Sequence, residues 1–174
     1  MADFVVFLRA INLGKRRRVP MAELVDCLVS AGCRDVATYL ATGNVRLSAS
    51  SVRAEVERTV ETACLDRFGF EVPAIAYSTA ELTTVLAEAD AIDVEAPYRY
   101  VTLLKDAVPR DVGREIDAWS APGEGARAGA RAVHWWTEHG TQGSQLGNSA
   151  IEKRLGVATT RTLTVLRTVV GKWT

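Results

Sequence analysis

Cysteine is scarce in this chain. Cys27, Cys33 and Cys64 are the only three among 174 residues, an odd number with no Cys-x-x-Cys spacing, and two of them fall in apolar helical stretches where free thiols pack. A disulfide framework is therefore not expected. Histidine is scarcer still: His134 and His139 lie five apart in the half that lacks cysteine, so no metal-ligand spacing arises. Long apolar runs are missing, and the first one, Phe4 to Leu8, is too short for a signal-peptide core or a membrane span. A cytoplasmic setting without a membrane partner is the expectation. Net charge is absent as well, 21 bases against 21 acids, so no whole-protein field advertises a polyanionic partner. No G-x-G-x-x-G or Walker pattern occurs, and Gly143-Ser144 is followed by Gln145 where a nucleophile elbow needs glycine. No cofactor is called for, and no fixed-period repeat is present.

What remains is a soluble, folded composition: 48% hydrophobic and 24% charged residues. A chain of this length forms one domain or two small ones and buries roughly 70% of its unfolded surface. Residues 3 to 9 are apolar on both alternating sets, as a strand covered on both faces should be. Pro20 suits the first position of a helix that buries Met21, Leu24, Cys27, Leu28 and Ala31 and stops at Gly32. Two short antiparallel strands, Val36 to Ala41 and Val45 to Ser48, flank the turn Thr42-Gly43-Asn44. Ser51 opens a second helix that ends at Gly69, and a strand at Val72 to Tyr77 completes a βαββαβ order, the ferredoxin-like pattern.

Ser78 with Glu81 forms a capping box for a third helix, and the acidic stretch Asp90 to Pro97 reads as a linker. Beyond it come a strand at Tyr100 to Lys105, a helix from Pro109, a Gly/Ala-rich stretch from Pro122 to Ala130 and a strand at Ala132 to Trp136. Ser144 and Thr160 are placed as caps of two final helices, the second of which has β-branched content that also suits a strand. The expected architecture is α+β: a ferredoxin-like N-terminal half with its following helix over 1–95, packed on a second, smaller α+β half over 96–174.

Charge is unevenly spread. From Phe4 to Ala22 there are five bases and no acid, whereas residues 51 to 95 hold ten acids and three bases. If Pro20 begins the helix, Val19 at the N-cap offers no side-chain acceptor, so the first amides lack a local partner and an anion can supply it. Lys15, Arg16, Arg17 and Arg18 then lie beside a helix N-terminus that favours negative charge, with Arg9 and Asn12 able to aim a planar fork and an amide at the same place. The plainer reading is a solvated charge run. Asn44 serves either the turn or that same site, and Arg161 either flanks a helix or makes a second anion contact. RNA recognition by an open sheet face needs stacking aromatics, and the third strand, Val45-Arg46-Leu47-Ser48, has none.

Three stretches carry a resemblance: Leu8-Arg9-Ala10-Ile11-Asn12-Leu13-Gly14 with Val19-Pro20-Met21; Thr38-Tyr39-Leu40-Ala41-Thr42-Gly43-Asn44-Val45; and Leu155-Gly156 leading to Ala158-Thr159-Thr160-Arg161. In that order they resemble the bacterial domain-of-unknown-function family 1697. The resemblance implies a small cytoplasmic α+β protein with a ferredoxin-like first half, and no particular activity. The chain departs from the family's usual pattern at Ala10 (Gly), Gln145 (Lys) and Thr162-Leu163-Thr164 (Asn-Trp-Asn).

Three functions stay open at this level. The first is binding of a phosphate-bearing ligand, a nucleotide or a nucleic-acid backbone, by Arg9, Asn12, Lys15, Arg16, Arg17, Arg18, Asn44 and Arg161. The second is an enzyme that holds an anionic substrate with Arg9 and Arg161 in a cleft between the halves and uses His139 or Ser144. The third is an interaction module working through a strand edge or the tryptophan-bearing half.

Overall fold

The computed structural model describes residues 1–174. They divide into two compact units, Met1–Leu82 with Lys172–Thr174, and Thr83–Gly171. In the first unit the elements run β1 (Ala2–Leu8), α1 (Met21–Ser30), β2 (Arg34–Tyr39), β3 (Asn44–Ala49), α2 (Arg53–Phe68) and β4 (Ala74–Ser78), with α3 (Thr79–Asp90) beginning in it. The sheet order is β2-β3-β1-β4, and every neighbouring pair is antiparallel.

β1 is interior and buried on both faces, as its doubly apolar sequence requires. Phe4, Val6 and Leu8 join Leu24 and Leu28 of α1 and Val56, Val60 and Cys64 of α2 in one core. Val5 and Phe7 on the opposite face are equally inaccessible, with Phe7 edge-on to Tyr77 at 6.2 Å. Burying side chains of this size supplies about 1.5–3 kcal/mol each, so this strand anchors the unit.

β4 is a sheet edge, but its outward amides are not on offer. The Glu57 and Glu61 carboxylates of α2 accept from the N–H groups of Ala76 and Ala74 at 2.9 and 3.0 Å. A covered edge of this kind resists pairing with another chain.

Several helix starts differ from expectation. Pro20 is the N-cap of α1 and not its first helical residue, and Val52, without a side-chain bond, caps α2 in place of Ser51. The capping box at α3 is as expected: Ser78 N–H donates to the Glu81 carboxylate at 2.8 Å, and Glu81 N–H donates back to the Ser78 hydroxyl at 3.2 Å. The β2–β3 connection is longer than a two-residue turn. It spans residues 40–43, with Leu40 and Gly43 both at positive φ.

After α3, the second unit contains β5 (Tyr98–Leu104), α4 (Arg110–Ala118), β6 (Ser120–Ala121), β7 (Glu124–Ala128), β8 (Ala132–Thr137), a short α5 (Gly140–Gly143), α6 (Asn148–Leu155), β9 (Ala158–Thr162) and α7 (Leu163–Trp173) as far as Gly171, the end of α7 belonging to the first unit. Its sheet has the order β6-β7-β8-β5-β9 and is antiparallel throughout. One core gathers Leu104, Ala126, Val133, Trp135, Ile151, Leu155 and Ala158, with Val112 and Ile116 of α4 packed against it. Tyr100 stacks on Trp135 at 4.3 Å between centroids.

β7 lies within the Gly/Ala-rich stretch from Pro122 to Ala130, to which the sequence reading assigned no element. Glycine is required at position 125, where a β-carbon would stand 2.3 Å from the Trp136 ring, so the neighbouring indole occupies that space. The end of the chain is also corrected: Thr160 caps no helix but lies within β9. The Thr162 hydroxyl accepts from Val165 N–H at the start of α7. Thus the β-branched residues up to Thr162 form a strand, and the stripe Leu163, Leu166, Val169, Val170 is the buried face of a helix. Ser144 likewise does not cap α6, whose N-cap is Gly147; its hydroxyl accepts from Leu146 N–H.

Candidate functional site

The loop from Arg9 to Pro20 is tied down where it leaves β1. Leu8 N–H donates to the Gly43 carbonyl at 2.8 Å and Arg9 N–H to the Pro73 carbonyl at 3.0 Å. Ile11 is buried, whereas residues 13 to 18 are all exposed. Ala10, Asn12 and Arg17 each sit at φ near +55°, a left-handed conformation that costs a side-chain-bearing residue on the order of 1–3 kcal/mol. Two side chains hold the backbone there.

Asn12 is the first. Its Oδ1 accepts from Val19 N–H at 2.8 Å, and its Nδ2 donates to the carbonyls of Val19 at 3.0 Å and Ala41 at 2.8 Å. The amide thereby closes the loop on itself and fastens it to the β2–β3 turn. Arg17 is the second. Its Nε donates to the Ala10 carbonyl at 2.9 Å and its Nη2 to the Glu71 carbonyl at 2.5 Å, with the guanidinium 4.9 Å from the centre of the Phe70 ring. Of the four consecutive bases, Arg17 has its fork turned to the protein itself.

Lys15, Arg16 and Arg18 are different. All three are exposed, and no hydrogen bond or ion pair engages them. Beside Arg18 lies a depression of about 280 Å³, bordered by Asn12, Gly14, Val19, Pro20, Met21 and Ala41. It opens at the start of α1. Pro20, as N-cap, has no side-chain hydrogen bond to give, and the first intrahelical bond is Leu24 N–H to Pro20 carbonyl. The amides of Met21 and Ala22 therefore have no acceptor within the protein, the condition under which a helix start attracts an anion. Glu23 in the same first turn is paired with Arg67 of α2 at 2.5 Å.

The other candidate residues sit elsewhere. Arg9 is half-buried just past the end of β1. Asn44 is fully buried, and its Nδ2 donates to the Tyr39 carbonyl at 2.7 Å and to the Thr42 hydroxyl at 3.3 Å, so its amide shapes the hairpin turn. Arg161 belongs to the second unit. It is buried in β9, its Nη1 donates to the Thr159 hydroxyl and the Thr160 carbonyl, both at 2.9 Å, and desolvation brings its pKa down to about 10. His139 caps the short α5, and no hydrogen bond joins its ring to Ser144, whose hydroxyl is engaged by Leu146 N–H. The partners of Arg17 at Phe70 and Glu71 had no signal in the sequence, since 54 residues separate donor from acceptor.

The fold and this loop place the chain among small α+β proteins with two antiparallel sheets. It belongs to the family described as Protein of unknown function (DUF1697), whose sequence profile matches residues 1–134. Among solved structures it is similar to the conserved bacterial protein SP0830 from Streptococcus pneumoniae, at 16% identity and a TM-score of 0.74 over 98% of this chain and 97% of that one. No curated protein matches the sequence. No helix is long and apolar enough to cross a membrane, and no group of three or more His, Cys, Asp or Glu residues is arranged to hold a metal ion.

Proposed function

We propose that the first unit binds a phosphate-bearing ligand, a nucleotide or a nucleic-acid backbone, at the start of α1. The carrying observation is that Lys15, Arg16 and Arg18 are exposed and unengaged beside a helix whose first amides have no side-chain cap. Phosphate oxygens suit both partners: the amides donate along the helix axis, and the guanidinium of Arg18 supplies a planar pair of donors. Asn12 and Arg17 serve the same reading by holding the loop in one shape before the ligand arrives, which lowers the ordering cost of binding. The strand order β2-β3-β1-β4 supports a ferredoxin-like assignment for this unit. Three free cysteines, with the Cys64 thiol pushed up to about 12 by burial, are in keeping with a cytoplasmic setting.

The test is fluorescence anisotropy of the full chain with labelled nucleotides and labelled single-stranded and duplex oligonucleotides, at low and physiological salt. Binding that weakens with salt, and is lost when Lys15, Arg16 and Arg18 are all changed to Gln, is the expected result. Affinity unchanged in that variant, or no binding of any phosphate-bearing probe at low salt, defeats the proposal.

A further inference from the structure

Glu124, at the start of β7, is the buried carboxylate of the second unit, and no ion pair engages it. A carboxylate taken out of water without a cation must be met by hydrogen-bond donors. Its Oε1 accepts from the Thr137 hydroxyl at 3.2 Å and its Oε2 from Gln145 N–H at 3.1 Å, while the Thr137 oxygen accepts from His139 N–H at 3.0 Å. One side chain of β7 therefore holds both ends of the segment that joins β8 to α6.

That segment, residues 138–147, has little else to hold it. It carries glycine at 140, 143 and 147, with Gly140 at φ +69°, and none of its residues is buried. Its regular structure is limited to the four residues of α5. Apart from Glu124 and Thr137, it is fastened by Glu138 N–H to the Gly123 carbonyl at 2.9 Å and by the Leu146 side chain, which packs against the core that holds Trp135. Exposed, glycine-rich backbone with few buried contacts opens at low free energy, so the bonds to Glu124 decide whether it stays down. Strand register sets what it lies on. Tyr98 pairs with Thr137, Tyr100 with Trp135 and Glu124 with Thr137, so these five side chains share one face of the sheet. On that face Tyr100 is stacked on Trp135 at 4.3 Å, and a β-carbon at Gly140 would stand 3.9 Å from the Tyr98 ring.

We propose that residues 138–147 form a strap latched by Glu124, which swings on its glycines and, when released, uncovers the apolar face around Tyr100 and Trp135. The latch works through the placing of acceptors and not through charge. Gln145 N–H needs one oxygen, and the Thr137 hydroxyl can take part as donor or as acceptor. A glutamine at position 124 can thus give its oxygen to Gln145 and a hydrogen of its amide to the Thr137 oxygen, whereas leucine fills the same space and offers neither. The device lies in the second unit and does not depend on the phosphate-binding reading of the first.

The experiment is native-state hydrogen exchange of the full chain, read by mass spectrometry in urea below the unfolding transition. In the native protein, peptides covering 138–147 are expected to exchange together, with little dependence on urea, and ahead of those from β5 and β8. Glu124→Leu should speed exchange in 138–147 by about tenfold with β5 and β8 still slow, and Glu124→Gln by less than about threefold. An anilinonaphthalene sulfonate dye should bind Glu124→Leu more strongly than the native chain, because the aromatic face is bared. Exchange of 138–147 only in step with β5 and β8 in the native chain overturns the proposal, and this reading stands even where Glu124→Leu fails to fold. Unchanged exchange in Glu124→Leu overturns it, as does equal loosening by leucine and glutamine. A loosened strap without a gain in dye binding overturns the uncovering of the Tyr100 and Trp135 face.

Discussion

Asn12 and Val19 exchange two hydrogen bonds across the basic loop, Val19 N–H to Asn12 Oδ1 at 2.8 Å and Asn12 Nδ2 to the Val19 carbonyl at 3.0 Å. The same Nδ2 reaches the Ala41 carbonyl, so one amide replaces a stretch of regular backbone pairing. Asn12→Ala removes all three bonds and puts alanine at φ near +55°. The expected loss is about 2–3 kcal/mol in urea unfolding, from part-buried backbone groups left without partners and from the strained conformation. Loss within about 0.5 kcal/mol of zero would show that the loop does not depend on this clamp.

Two glycines of similar φ separate backbone strain from crowding. Gly43 has φ +80°, and a β-carbon there would stand 2.7 Å from Leu8 Cβ and 2.8 Å from Ile11 Cδ1; Gly14 has φ +68° with nothing within 4 Å. Gly14→Ala should cost only the conformational penalty, about 1 kcal/mol, while Gly43→Ala adds displacement of a core leucine for a total of about 3 kcal/mol or more. Thermal melts of the two variants side by side give the comparison. Equal losses would mean that the β2–β3 turn shifts freely off the end of β1.

Much of the fold is legible in the sequence because it rests on local signals. The two-sided apolar run of β1, the stripe of α1 and the Ser78–Glu81 box each announce themselves within a few residues. The misread segments have non-local causes: β7 is hidden behind a glycine that makes room for Trp136 from the adjoining strand. Ser51 and Ser144 look like caps but precede the true N-caps, Val52 by one residue and Gly147 by three. At the candidate site the sequence shows four equivalent bases. Only the folded chain distinguishes Arg17, because its partners lie on the far side of α2 in sequence. Ala10 adds a local hint, since its φ of 55° explains why glycine suits that position in the resemblance noted above.

His134 of β8 is buried, with Nε2 3.1 Å from the Glu88 carboxylate and Nδ1 enclosed without a partner. Burial pushes its pKa below the ordinary 6.5; the bond and charge of Glu88 oppose this, and Arg99 adds to it. The sign follows: the unfolded chain takes up a proton near pH 6.5 while the folded chain does not. The contribution to stability is therefore complete above that pH and is lost as pH falls towards the lower folded value, with a slope of at most about 1.4 kcal/mol per pH unit. Urea midpoints measured across this window should drop with acid in the native protein and flatten in His134→Gln. Parallel curves for the two proteins would remove His134 from the acid response.

Arg16 and Arg17 are adjacent in sequence and opposite in setting, one exposed and unengaged and the other bonded to the fold, and a pair of variants tells them apart. Arg17→Gln gives up bonds to the Ala10 and Glu71 carbonyls and the contact with the Phe70 ring. These are partly exposed charge-assisted contacts, worth about 1–2 kcal/mol together after solvent screening. Arg16→Gln touches nothing in the fold and should leave stability within about 0.5 kcal/mol of the parent. Binding should follow a different pattern. If the loop binds phosphate as proposed, Arg16→Gln lowers that affinity through its own lost charge with the loop intact. Arg17→Gln lowers it through a loosened loop, so that its affinity improves when an osmolyte such as trimethylamine N-oxide favours the compact state, whereas that of Arg16→Gln does not. If Arg17→Gln leaves stability unchanged and Arg16→Gln does not, the bonded and the unengaged arginine have been assigned the wrong way round.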